Sequence, residues 1–230
     1  MNNDIKEIIE QRNIKRLCHF TKSKNLPQIL MRGRGILASE FIAEDIFDPN
    51  DNFRYDGKTK YINCSIQYPN VYYFNKISEK DIQFKEWIIL FINPYIMTKE
   101  DTYFCKVNAA KENGKYIKKG ADALKELFDN RVLKLDRTNK MPTNVPTDLQ
   151  AEVLIYEQIP VEAIEAIVVP NIEQAHREKT RLETFNLQIP SIYVIPELFD
   201  KKLGINIREG KIPKENIYYE RSELQPWKII

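Results

Sequence analysis

Apolar positions recur along the chain with two spacings, and each change of spacing marks a change of element. Ile5, Ile8 and Ile9 share one helical face, so residues 2–12 open the chain as a short amphipathic helix. Arg16 to Thr21 reads as a strand. Ser23 or Asn25 then serves as a helix cap, with Pro27 in the first turn, Ile29, Leu30 and Met31 on the buried side, and Gly33 and Gly35 as the stop. Residues 38–60 form a long polar and aromatic loop, punctuated by Pro49-Asn50 and Asp56-Gly57. Tyr61 to Ile66 is the next strand, and Val71 to Phe74 is a strand or an aromatic helical turn. Trp87 to Ile92 is apolar throughout, the pattern of a central strand. Thr102 to Cys105 adds a strand, and Ala121 to Asn130 adds a helix with Leu124, Leu127 and Phe128 on its apolar face. After a second long polar loop over 131–148 come strands at Glu152 and at Ala166 to Val169, a helix over 171–184 and a last strand at Ser191 to Val194. The pattern assigns nothing beyond. Many short strands with a few segregated helices predict an α+β fold rather than a doubly wound sheet. No linker, repeat or low-complexity run interrupts residues 1–230, so a single domain is expected.

Apolar residues make up 43% of the chain, enough for a sizeable core, and the net charge is only +2. Any nucleic-acid contact must therefore come from a local basic patch. Cys18, Cys64 and Cys105 are far apart and lack Cys-x-x-Cys spacing, which argues against a zinc site or a disulfide framework and fits a reducing cytoplasm. The first ten residues are polar and charged, unlike a signal peptide, and Trp87 to Ile92 is far too short to cross a bilayer. A cytoplasmic protein with no membrane partner is expected. With two histidines and no clustered carboxylates, no catalytic metal is expected either. Phosphate-binding glycine loops are absent.

The stretch Pro146 to Tyr156 runs from a polar loop into a buried strand. Along that strand Gln150, Glu152, Leu154 and Tyr156 share one face, and Val153 and Ile155 take the other. Glu152 is either an edge carboxylate facing water or a catalytic group at a cleft. His19 is a core histidine satisfied by backbone, or a ligand-orienting donor at a strand end. His176 lies in a charged helix and reads as a surface residue. Arg54 is a solvated loop arginine, or the planar fork that a pyrophosphate needs. Tyr72, Tyr73 and Phe74 are core, or a platform for a flat ring. The spaced cations Arg131, Lys134, Arg137 and Lys140 are a solvated loop, or contacts to a phosphate backbone.

Four segments, in order, resemble the DarT family of NAD-dependent DNA ADP-ribosyltransferase toxins. They are Leu17-Cys18-His19-Phe20-Thr21 with Asn25 to Leu30; Arg54-Tyr55-Asp56-Gly57 leading to Asn63 through Asn70; Glu86 to Pro94 with Phe104-Cys105 and Asn108-Ala109-Ala110; and Pro146 to Leu154. The resemblance covers roughly residues 15–170. It implies an ADP-ribosyltransferase fold, a split and mostly antiparallel sheet with flanking helices and NAD in the cleft between. His19, Phe20 and Thr21 match the strand that holds the nicotinamide half of NAD, and Gln28 matches a further NAD contact. Arg54 matches the loop arginine that touches the diphosphate and supports catalysis, and Glu152 matches the catalytic glutamate. Tyr73 is the candidate nicotinamide-stacking ring, and the loop before Glu152 matches the one that selects the target.

The resemblance further implies single-stranded DNA as acceptor, NAD as a substrate with no metal, and a DarG-type antitoxin as partner. Arg54-x-Asp56-Gly57 and Ser65-Ile66-x-x-Pro69-Asn70 look closer to the guanine-modifying branch than to the thymine-modifying one. Three other readings stay open. Gln150-x-Glu152 also resembles the pair found in transferases that act on protein, so protein or RNA is an alternative acceptor. A catalytically inactive NAD- or DNA-binding module is another. A glycosidase-like hydrolase would need a second carboxylate, for which Glu86 is the candidate.

Overall fold

The computed structural model describes residues 3–42 and 56–219. Helix α1 (Asn3–Gln11) buries Ile5, Ile8 and Ile9, the face that its sequence spacing defines. Strand β1 (Leu17–Lys22) leads through a 3₁₀ turn into α2 (Leu26–Leu30) and the short β2 (Ile36–Leu37). Strand β3 (Tyr61–Ile66) and helix α3 (Val71–Lys80) follow, so the aromatic stretch after Pro69 is helical. Next come β4 (Trp87–Ile92), β5 (Tyr103–Cys105), β6 (Ile117–Lys119) and α4 (Ala121–Glu126). A small hairpin of β7 (Arg131–Val132) and β8 (Leu135–Asp136) opens the stretch expected to be loop. The chain closes with β9 (Glu152–Tyr156), β10 (Gln158–Ile159), β11 (Ile164–Val169), α5 (Ile172–Thr184), β12 (Ser191–Val194), α6 (Leu203–Arg208) and β13 (Asn216–Ile217).

Nine strands form one sheet in the order β13-β12-β11-β4-β1-β3-β9-β5-β6. Among the described residues only β11 and β12 run parallel, and α5 makes the crossover that a parallel pair requires. Strand β4 is buried along its whole length because both faces are covered. Ile88, Leu90 and Ile92 pack into the layer that holds α1, α2, α4 and α5. Ile89 and Phe91 pack into the opposite layer with α3, α6, Met141 and Val145. Each such aliphatic side chain contributes about 1.5–3 kcal/mol through the area removed from water.

The ladder between β1 and β3 is short. Strand β1 registers with β4 over six residue pairs but with β3 over only two, Leu17 with Ile66 and Cys18 with Ser65. Beyond Cys18 the two strands diverge, and β3 stays paired to β9 from Tyr61 to Cys64. The sheet is therefore split at this seam, as expected for the fold class.

The start of α2 differs from expectation. Neither Ser23 nor Asn25 caps it by a side-chain hydrogen bond. The Ser23 hydroxyl donates to Glu178, and the Asn25 amide donates to Thr21 Oγ1 at 3.1 Å. Met31, expected to be buried, is 48% exposed. Among the described residues no helix is long and apolar enough to cross a membrane.

Candidate active site

The divergence of β1 from β3 opens a cleft of about 740 Å³, within the usual range for a small-molecule site, roughly 300–1,000 Å³. His19, Phe20 and Thr21 of β1 line one side, and Asn63, Cys64 and Ser65 of β3 the other. Asn25 and Ile29 come from the turn and helix after β1, Tyr72, Tyr73, Lys76 and Lys80 from α3, and Asp148, Gln150 and Glu152 from the approach to β9.

Glu152 is the first residue of β9 and only 6% exposed. Strand β9 lies between β3 and β5, which rules out an edge carboxylate facing water. Its carboxylate accepts from the Ala109 backbone N–H at 2.8 Å and, at longer range, from Asn108 Nδ2 at 3.3 Å and Asn63 Nδ2 at 3.4 Å. A buried carboxylate needs such donors to offset its lost hydration. Asn63 Nδ2 is shared, because Asp56 Oδ2 also lies 3.4 Å from it. Asp56 is itself buried and accepts from the Lys58 N–H at 3.0 Å.

On the opposite side, His19 Nδ1 lies 3.0 Å from the Asn63 carbonyl oxygen. A carbonyl only accepts, so this nitrogen carries a proton. Thr21 is 2% exposed and tied to Asn25. The Phe20 ring stands 6.2 Å from Tyr73 and 5.5 Å from Phe74, between centroids, so aromatic packing fixes this wall. Asn70 caps α3 by accepting from the Tyr73 N–H at 3.1 Å, and its Nδ2 has no hydrogen-bond partner among the described residues.

Asp148 is 7% exposed, and burial raises its carboxyl above the usual range against the Gln150 N–H and the charges of Lys111 and Arg208. Burial also pushes the Cys18 thiol, against the cleft wall, up to about 12, so it stays protonated at neutral pH. Among the described residues no group of three His, Cys, Asp or Glu side chains is placed to hold a metal ion.

The structure thus brings His19, Phe20, Thr21, Tyr73 and Glu152 to one cleft. Gln28 does not line it. Asn25 and Ile29 do so from the same segment, and the Gln28 side-chain oxygen is buried without a hydrogen-bond partner among the described residues. Arg54 lies outside the described residues. Glu86, the candidate second carboxylate of a hydrolase, does not line the cleft and pairs with Arg177 at 2.7 Å and Arg181 at 3.6 Å on α5. Arg137 is turned inward. Its guanidinium donates to the Pro142 and Val145 carbonyls and to Thr147 Oγ1, folding its own loop. Asn63, Asn108 and Ala109 hold the glutamate, and the sequence gives them no individual signal. Their positions were visible only as parts of the DarT-like segments.

A family model described as "ssDNA thymidine ADP-ribosyltransferase, DarT" matches residues 18–200. A comparison with curated proteins finds no match. Among solved structures, Thermosipho africanus DarTG in complex with ADP-ribose is similar at 19% identity and a TM-score of 0.56, over 80% of this chain and 51% of that one. This chain therefore spans about half the length of that relative. Thermus sp. 2.9 DarT in complex with NAD+ is similar at 15% identity and a TM-score of 0.56, over 81% of this chain and 98% of that one. The same Thermus protein with ADP-ribosylated single-stranded DNA gives 12% identity and a TM-score of 0.57, over 82% and 97%. At these identities the structures establish a shared fold, and the family match establishes kinship. The chain belongs to the DarT family of NAD-dependent single-stranded-DNA ADP-ribosyltransferases.

Proposed function

We propose that this protein cleaves NAD at the nicotinamide–ribose bond and transfers the ADP-ribose to a base in single-stranded DNA, with guanine as the acceptor. The observation that carries the reading is Glu152, a buried carboxylate held by N–H donors at a cleft whose other side is His19, Phe20 and Thr21. Loss of nicotinamide builds positive charge on the ribose, as in an oxocarbenium-like glycosidic transition state. A carboxylate fixed before the reaction stabilises that charge most when it is fullest, so it lowers the barrier rather than merely tightening binding. His19 and Thr21 orient the nicotinamide half, and Phe20 and Tyr73 give the ring an aromatic wall. Gln28 supports this segment from α2. Arg54, two residues before Asp56 in the chain, supplies the fork for the diphosphate.

The acceptor atom of the base then attacks the anomeric carbon. A base edge is poorly reachable in a duplex, which favours single strands. Lys76, Lys80 and Lys111 at the cleft give a local positive rim on a nearly neutral chain. The guanine preference rests on Arg54-x-Asp56-Gly57 and Ser65-Ile66-x-x-Pro69-Asn70, although the family description names thymidine. The DarTG relative supports a pairing of this protein, as toxin, with a DarG-type antitoxin.

The test is the intact mass of oligonucleotides incubated with NAD and either the protein or its Glu152→Gln variant. The wild type adds one ADP-ribose, and the variant falls at least about a hundredfold, as expected when a transition-state charge partner is removed. Oligonucleotides each lacking one base name the acceptor, and labelling that persists without guanine overturns that assignment. Nicotinamide release with label on protein or RNA instead of DNA overturns the DNA reading.

A further inference from the structure

Helix α6 begins after the last family-matched residue, 200, yet it touches elements on two sides of the cleft. Arg208 ends it. Its Nη1 donates to the Thr147 carbonyl at 3.1 Å, and its Nη2 donates to the Asp136 carbonyl. The Thr138 hydroxyl donates back to the Arg208 carbonyl at 2.6 Å. One guanidinium thus ties together the two ends of the 136–147 segment. Thr147 is held further, through its N–H to the Leu127 carbonyl at 2.8 Å and its hydroxyl to the Asp129 carbonyl at 2.6 Å. The next residue is Asp148, which feels the Arg208 charge and lines the cleft with Gln150 and Glu152. Earlier in α6, Gly204 lies against Tyr72, another cleft residue. A Cβ at Gly204 would fall 2.3 Å from the Tyr72 hydroxyl oxygen and 2.8 Å from its ring.

We propose that Arg208 is a positioning residue for the DNA acceptor: it fixes the 136–147 segment so that the Asp148–Gln150 wall meets the incoming base. The inference rests on the reading of this site as a DNA ADP-ribosyltransferase. A planar guanidinium directs donors along two fixed axes, so it can hold two carbonyls at once. A lysine at this position would reach one of them. NAD cleavage relies on Glu152, which is held by the pairing of β9 with β3 and β5 and by the Asn63, Asn108 and Ala109 donors, none of which belongs to the clamp.

The experiment compares wild type, Arg208→Lys and Arg208→Ala in two assays, nicotinamide release from NAD without DNA and ADP-ribose transfer to single-stranded DNA. For Arg208→Ala, nicotinamide release stays within about twofold of wild type while transfer falls roughly ten- to a hundredfold, mostly through KM for DNA, the scale of a small misplacement. Arg208→Lys recovers part of that loss, and it is the variant to read if Arg208→Ala fails to fold. Unchanged transfer overturns the proposal, as does an equal fall in both assays. If the wild type releases nicotinamide but labels no DNA, the DNA reading itself fails. Amide exchange then decides the clamp: faster exchange over residues 138–147 in Arg208→Ala retains it, and unchanged protection overturns it.

Discussion

His19 Nδ1 on β1 lies 3.0 Å from the Asn63 carbonyl oxygen on β3, and this contact spans the seam where the sheet opens. It orients the imidazole relative to the strand whose side chain also touches Glu152. Replacing His19 with Ala removes a polar arm from the proposed NAD site and leaves the carbonyl to water. The expected result is a KM for NAD raised about five- to tenfold, the scale of one hydrogen bond, with the folded state retained. Steady-state nicotinamide release measures it, and an unchanged KM would remove His19 from the NAD site.

Asn63 offers one amide group to two buried carboxylates, Asp56 and Glu152. Asn63→Ala withdraws that donor and keeps the backbone contact to His19. Asn63→Asp instead sets a third carboxylate among them, where like charges repel at short range. Turnover at saturating NAD should fall by about tenfold in Asn63→Ala, and further in Asn63→Asp, given the penalty for an unsatisfied buried polar group. Equal turnover in the two variants would sink the idea that electrostatics dominates here.

Gly35 has a φ of +81°, and a Cβ built there would lie 2.0 Å from the Ile159 carbonyl oxygen. This is where β2 meets β10, so the backbones cannot separate without losing that pairing. Gly35→Ala should destabilise the fold by about 2–5 kcal/mol, combining left-handed strain with overpacking. Gly33, also at positive φ, has no atom within 4 Å of a built Cβ. Gly33→Ala should therefore cost less, about 1–2 kcal/mol. Denaturant unfolding of both variants checks the order, and a reversed order contradicts the steric account.

Glu178 is fully buried on α5, where it accepts from the Ser23 hydroxyl and the Arg181 guanidinium. Burial raises its carboxyl above the ordinary range, opposed by Ser23 and Arg181, with the Glu86 charge adding to the rise. The folded protein then holds this proton more tightly than the unfolded chain does. The contribution to stability is complete below the unfolded value of about 4.3 and is lost as pH rises through the folded value. Glu178→Gln removes that titration. Its melting temperature relative to wild type should climb as pH rises from about 4 towards 7. A pH-independent difference would contradict this.

The long strands were legible because their side chains follow one rule. Trp87 to Ile92 is apolar on both faces because both faces are covered, and Val153 and Ile155 part from Leu154 by simple alternation. Elements of two residues, such as β2 and β13, carry no period and exist through their partners. Ser23 and Asn25 look like caps, but their side chains find other acceptors instead: Asn25 reaches back to Thr21, and Ser23 reaches Glu178, far along the chain. Glu152, His19 and Thr21 could be picked out as unusual residues in strands or as parts of a family pattern. The groups that hold Glu152 could not, since a backbone N–H such as that of Ala109 is present at every residue but proline. Arg137 misleads for a related reason. A guanidinium that binds carbonyls and one that binds phosphate have the same letter, and only folding tells them apart.

The two-pair seam between β1 and β3 has a consequence for how a ligand is recognised. Past Cys18, the flank of β1 that faces β3 borders the cleft rather than a continued β1–β3 ladder. A ligand entering there would meet main chain as well as side chains, and a main chain is the same whatever side chains it carries. The shape of such a site follows from where the ladder stops, which side-chain substitution alters little.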